Sequence, residues 1–158
     1  MKLQDFIVTE ALVPELQATE HDDVISELVD ALVEAGAAPK KLRKQLVGDI
    51  LERERNGSTG FGKGVAVPHA KHDKLTKMVA TIGISQAGVD FNALDKAPVY
   101  SIFLLLSPTD QPDEHLQAME NIFSNLQKDT FRRFLRQSTS REDIQELIQE
   151  ADAQQLSS

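Results

Sequence analysis

Apolar residues recur at helical spacing through Val24, Ile25, Leu28, Val29, Leu32 and Val33. This predicts an amphipathic helix, with Thr19 and Asp22 in capping-box positions and Gly36 as its stop. A second helix is predicted from Pro39 through Leu42, Leu46, Ile50 and Leu51, placing Arg53-Glu54-Arg55 at its C-terminus before the break at Asn56-Gly57. Gly57 to Gly64 follows, with four glycines in eight residues, a density that reads as a shaped loop. Val65-Ala66-Val67-Pro68 leans to β structure and closes on a proline, which puts His69 where a strand ends and a loop begins. Strands are predicted over Met78 to Ser85 and Val99 to Leu106, joined by a connection from Asp90 to Pro98. The apolar run Ile102 to Leu106 suits a strand buried on both faces, at the centre of a sheet.

Ser107 to Pro112 turns the chain into a helix carrying Leu116, Met119, Ile122, Phe123 and Leu126, with His115 in its first turn. A shorter helical piece lies around Phe131, Phe134 and Leu135. Ser140 and Asp143 then cap a last helix bearing Ile144, Leu147 and Ile148. The domain is expected to occupy residues 1–150, with 151–158 as a frayed tail. Phe6-Ile7-Val8 and Leu12-Val13 are apolar enough to add a strand or two, but their pattern does not fix strand order. Helices followed by strands mixed with helices predict one α/β (α+β) domain: a small mixed β-sheet flanked by helices.

The 158 residues are 41% hydrophobic and 27% charged, the composition of one ordinary globular domain. A chain of that length buries roughly 70% of its unfolded surface and needs no staple to fold. Cysteine is absent, which excludes a disulfide scaffold, a cysteine nucleophile and a thiolate metal site. The net charge of −8 disfavours general binding to nucleic acid or anionic membrane. An acid at Asp5 and the lack of any run near the ~20 apolar residues of a membrane span make a cytoplasmic location, without membrane insertion, the default expectation.

His69 is the first candidate for chemistry, since a glycine-rich loop before it allows backbone N–H groups to face an anion. A lone histidine is more often a satisfied structural residue, but its neighbours alter that reading. Ser58 and Thr59 supply hydroxyls, and Arg53 and Arg55 supply guanidinium forks suited to phosphoryl oxygens. The loop matches neither a Walker P-loop nor a dinucleotide fingerprint, so nucleotide binding there has no motif behind it. His69-x-x-His72 lacks a third ligand, and no metal is expected. His21 and His72 read as solvated residues, and Lys40-Lys41-Leu42-Arg43-Lys44 as a solvated helix face.

The stretch Leu51-Glu52-Arg53-Glu54, then Gly57-Ser58-Thr59-Gly60-Phe61-Gly62-Lys63-Gly64-Val65-Ala66-Val67-Pro68-His69-Ala70, resembles a known signature. It is that of the type-2 enzyme IIA domains of the bacterial phosphoenolpyruvate phosphotransferase system, comprising fructose, mannitol and nitrogen-type members. The likeness covers nearly the whole chain and includes His115 in a Pro-x-x-His-Leu context at Pro112 to Leu116. The Gly-Ser-Thr-Gly loop and solitary domain look most like the nitrogen regulatory branch. Ala70 stands where many members have glycine.

The resemblance implies a histidine phosphocarrier. His69 would accept a phosphoryl group through Nε2 from the phosphocarrier HPr or its nitrogen-type counterpart. Arg53 and His115 would lie beside that group as catalytic residues, and Ser58 and Thr59 would line the phosphate. No cofactor is implied. The expected role is regulatory, toward target proteins. The alternatives are a sugar-specific carrier that passes phosphoryl to an enzyme IIB, and a binding module that kept the fold without the chemistry.

Overall fold

A computed structural model describes residues 1–154 of the chain. Its elements are α1 (His21–Glu34), α2 (Arg43–Arg55), β1 (Gly60–Gly62), β2 (Val65–Ala66), β3 (His69–His72), β4 (Val79–Val89), β5 (Val99–Pro108), α3 (Pro112–Leu126), α4 (Asp129–Gln137) and α5 (Arg141–Asp152). β5 is the axis of the sheet, as its apolar run predicts. β4 pairs antiparallel with one edge, while β2 and β3 pair parallel with the other, and β1 closes an antiparallel hairpin on β2.

Alternation along β5 divides the interior in two. Ile102, Leu104 and Leu106 pack with Val24, Ile25, Leu28, Leu32, Leu46 and Ile50 of α1 and α2. Phe103 and Leu105 pack with Ala118, Ile122 and Leu126 of α3, Phe131 and Leu135 of α4, and Ile144 and Ile148 of α5. The mixed sheet is thus sandwiched between a two-helix layer and a three-helix layer. Full burial of side chains such as Phe103 and Ile102 contributes about 1.5–3 kcal/mol each, and this seam holds the layers together.

Several local expectations are corrected. The N-cap of α1 is Glu20, not Thr19, with no side-chain cap; instead the Glu27 carboxylate reaches back to accept from the backbone N–H groups of Gln17 and Ala18. Gly36 ends the helix at φ +76°. Pro39 starts a single 3₁₀ turn, Lys40–Leu42, that leads into α2. The glycine segment is not all loop, because β1 forms inside it. β4 and β5 each run past their predicted ends, and the early apolar segments make single bridges, Ile7 to Ala80 and Val13 to Gly83, rather than strands.

α5 begins as predicted, with Ser140 Oγ accepting from Asp143 N at 3.1 Å. It continues through Asp152, two residues into the segment expected to be a tail: Ala151 is buried and the Asp152 carboxylate accepts from Leu3 N at 2.7 Å and Gln4 N at 2.9 Å. Residues 155–158 of that expectation lie outside the described residues. On α3 the buried stripe is His115, Ala118, Ile122, Asn125 and Leu126, which leaves Leu116 58% exposed. The helix is therefore turned by about one residue from the face that apolar residues alone select, and that turn carries His115 inward. No described helix is long and apolar enough to cross a membrane.

Candidate phosphoryl-transfer site

Val67 and Pro68 break one continuous strand. Val65 lies opposite Ser101 and His69 opposite Leu105, so β2 and β3 follow β5 in the same register on either side of the break. The Pro68 carbonyl keeps the ladder by accepting from Leu105 N at 3.0 Å. The Val67 carbonyl accepts instead from Nδ1 of His69 at 2.8 Å. A carbonyl can only accept, so Nδ1 bears the proton and Nε2 keeps its lone pair. His69 therefore opens a strand rather than following one, and the missing N–H of proline sits at the interruption that bonds its ring.

Pairing with Leu105 puts His69 on the α3 side of the sheet, and the first turn of α3 brings His115 against it. The ring centroids are 5.6 Å apart with planes inclined at 53°. His115 is only 8% exposed, and its Nδ1 shares a 2.6 Å hydrogen bond with Ser107 Oγ. Burial, reinforced by the charges of His69 and Lys71, pushes the His115 pKa down to about 4. Burial also lowers the His69 pKa; the Val67 hydrogen bond opposes this, Arg53 and Lys71 add to it, and Glu54 counters them. Both histidines thus enter neutral solution as free bases, the state a nucleophilic nitrogen requires.

Arg53, exposed in the last turn of α2, donates from Nη1 to the Gly57 carbonyl at 2.9 Å and acts electrostatically on His69. Thr59 N donates to Glu54 Oε2 at 3.0 Å, while the Thr59 carbonyl accepts from Val67 N at 3.2 Å, tying this loop to the strand break. Thr59 Oγ1 is the one buried side-chain polar atom without a partner among the described residues. Such an atom is costly unless something occupies it, and here it leaves a hydroxyl unspent. Ser58 differs: its hydroxyl donates to the Phe91 carbonyl and accepts from Gly60 N at 2.9 Å, so it shapes the loop.

Sequence reasoning passed over four residues that the structure ties to this site. Lys71 stands two positions beyond His69 on β3, hence on the same face, a period-two relation that was open to inspection. Ser107 holds the His115 ring. Glu54, its side chain 4% exposed, bridges Thr59 N and His21 Nε2, the latter at 2.9 Å. His21 also meets Asp22 Oδ1 through Nδ1 at 2.7 Å; with both ring nitrogens on carboxylates its pKa is raised, the Glu54 hydrogen bond being the largest cause. His21 is consequently not the solvated residue expected, since it supports Glu54 from behind.

His72, three residues from His69 on a strand, points away from it. Its Nε2 donates to Gln45 Oε1 at 3.0 Å and its Nδ1 accepts from Lys74 N at 3.0 Å. Among the described residues no group of three His, Cys, Asp or Glu side chains could hold a metal ion. In the basic run, Arg43 is paired with Asp30 at 2.6 Å and pins α2 to α1, while Lys40, Lys41 and Lys44 are exposed.

Residues 6–151 match the family model described as phosphoenolpyruvate-dependent sugar phosphotransferase system, EIIA 2. The fructose-specific EIIABC component of Bacillus subtilis is 29% identical over 96% of the chain, which spans about a quarter (24%) of that relative. A nitrogen regulatory protein of Klebsiella oxytoca is 35% identical over 78% of the chain and 77% of its own length. Among solved structures, nitrogen regulatory protein IIA-Ntr of Neisseria meningitidis superposes with a TM-score of 0.81 at 24% identity, covering 90% of this chain and 96% of that one. The IIA mannitol protein of Escherichia coli, solved in complex with phosphorylated enzyme IIB, superposes with a TM-score of 0.75 at 20% identity over 89% and 94%.

Proposed function

The chain belongs to the type-2 EIIA family of the phosphoenolpyruvate-dependent phosphotransferase system, a family of phosphotransfer proteins, and from that premise we propose that it carries a phosphoryl group on Nε2 of His69. The observation that carries this reading is the Nδ1 hydrogen bond to the Val67 carbonyl, which fixes the tautomer with a free Nε2. The donor is a phosphohistidine of an HPr-like carrier. Its P–N bond breaks as the Nε2–P bond forms, and the donor imidazole retains the released electron pair. His69 gains positive charge during the step, and its Nδ1–H then donates more strongly to Val67.

The remaining residues act on position and charge, which is nearly all that such a transfer asks of a protein. Arg53 and Lys71 offset charge on the equatorial oxygens. With Ser107 donating to Nδ1 of His115, the Nε2–H of His115 is a neutral donor to a phosphoryl oxygen. Thr59 Oγ1 supplies a further donor. The role is that of a regulatory protein whose phosphorylation changes its partners, supported by the nitrogen regulatory relatives. A second reading, delivery of phosphoryl to an enzyme IIB for sugar uptake, is favoured by the fructose-specific relative and the mannitol complex.

Intact mass spectrometry after incubation with phosphoenolpyruvate, enzyme I and the carrier tests the chemistry. One acid-labile phosphoryl group, absent from His69→Ala, is the expected result. No phosphorylation by a carrier active on another acceptor would refute it. Onward transfer to a purified IIB protein would favour the sugar-uptake reading.

A further inference from the structure

A separate cleft of about 790 Å³ lies between the β1–β2 hairpin, Tyr100 and α4, and none of the phosphoryl-site residues lines it. In a chain of net charge −8 its walls carry four cations, Lys63, Arg132, Arg133 and Arg136, against two carboxylates, Asp95 and Asp129. Both carboxylates are already engaged. Asp95 accepts from Lys63 N at 3.1 Å and Ala97 N at 3.0 Å. Asp129 faces Arg132 at 3.2 Å and Arg133 at 3.9 Å. Arg132 is further fixed by donating to the Leu126 carbonyl at 2.7 Å. The side chains of Lys63 and Arg136 form no ion pair with the described residues.

Arg136 is held in a constructed seat. Its guanidinium carbon lies 3.6 Å from the centroid of the Tyr100 ring. Tyr100 in turn rests against two glycines: a Cβ on Gly88 would come within 3.0 Å of Tyr100 Cε1 and 2.9 Å of Pro98, and one on Gly64 within 3.3 Å of Tyr100 Cδ2. Stacking presents the N–H edge of Arg136 to the cleft and, because the residue is exposed, leaves the outer face of its plane open. A fixed planar fork, a nearby lysine and a second arginine suit phosphoryl oxygens better than a single carboxylate. The volume is that of a small-molecule site.

We propose that this cleft binds the diphosphate or triphosphate group of a small molecule. Arg136 and Lys63 make the principal contacts and Arg133 adds charge. A nucleotide and free pyrophosphate share this chemistry; the nucleotide gains in addition a base stacked on the open face of Arg136. The cleft shares Lys63 and Gly64 with the hairpin that leads to His69, so an occupant would sit against the same segment that shapes the phosphoryl site.

The test is amide NMR titration of the full chain with sodium pyrophosphate and, separately, with ADP. Saturable shifts centred on Gly64, Tyr100 and Arg132 to Arg136 are expected, weakening as salt rises. Arg136→Gln should weaken binding about tenfold or more, Arg136→Lys and Lys63→Gln less, and His69→Ala not at all. Tighter binding of ADP assigns a nucleotide, and equal binding assigns the diphosphate group alone. The proposal is overturned if neither probe saturates by about 10 mM. It is equally overturned if the shifts centre on Arg53, Thr59 and His69 and vanish in Arg53→Gln, or if a poly-glutamate peptide saturates these amides where both diphosphates fail.

Discussion

Glu54→Gln keeps the volume of a side chain that is 4% exposed and removes its charge. Gln still offers an oxygen to Thr59 N, but its amide NH₂ then faces the Nε2–H of His21, donor against donor. One hydrogen bond to a charged group is lost, worth about 1.5–3 kcal/mol, and the lower part of that range applies because His21 is 24% exposed. In a domain of this size about 1.5–2 kcal/mol corresponds to a Tm decrease of roughly 3–8 °C. The loss depends on pH with a definite sign. His21 has a folded pKa raised above 6.5, so the stability due to its imidazolium is complete below 6.5 and is lost as pH rises through the folded value. Thermal unfolding followed by circular dichroism at pH 6 and pH 9 should therefore show a gap between native and variant that narrows at the higher pH. No gap at pH 6, or the same gap at both, would refute the His21–Glu54–Thr59 linkage.

Other outcomes follow from the same geometry. His115→Ala and Arg53→Ala should slow phosphorylation about ten- to hundredfold while leaving the unfolding temperature of Arg53→Ala unchanged, measured by quenched-flow mass spectrometry. The phosphorylation rate should be level above pH 6.5 and fall below it as Nε2 of His69 takes a proton; proton NMR titration should place His69 below 6.5, His115 near 4 and His21 above 6.5. Because the folded pKa of His115 is depressed, the stability present above pH 6.5 is lost as pH falls from 6.5 toward about 4, which acid unfolding of His115→Gln against the native chain would register as a smaller slope. Gly60→Ala should cost about 1–3 kcal/mol in denaturant unfolding, since its Cβ would lie 3.0 Å from Ala93 Cβ and 3.2 Å from Ala93 Cα. Gly83→Ala should cost less, because its Cβ meets only the flexible ends of Leu28 and Leu16.

Periodicity was enough for α1, α2 and the central β5, because a helical stripe or a continuous apolar run is written in adjacent residues. The glycine loop with Arg53 and His69 was legible through its resemblance to a known signature. Where polar residues were recruited to the interior the pattern misled. On α3 the buried stripe includes His115 and Asn125, so counting apolar residues selected Leu116, which the fold turns outward. His21 read as a solvated residue for the same reason, and Glu54 was given no role; their mutual pairing, with Asp22 and the Thr59 N–H, is what makes burial tolerable.

The sequence by itself determined the five helices and the two long strands β4 and β5, and supplied the proline that interrupts β2 and β3. The tertiary structure alone decided that these two pieces share one edge of β5, that α3 delivers His115 to within a ring's width of His69, and that Lys63 joins the arginines of α4 around Tyr100. Backbone periods express local geometry, whereas these meetings depend on how layers distant in sequence pack and on the desolvation that packing imposes.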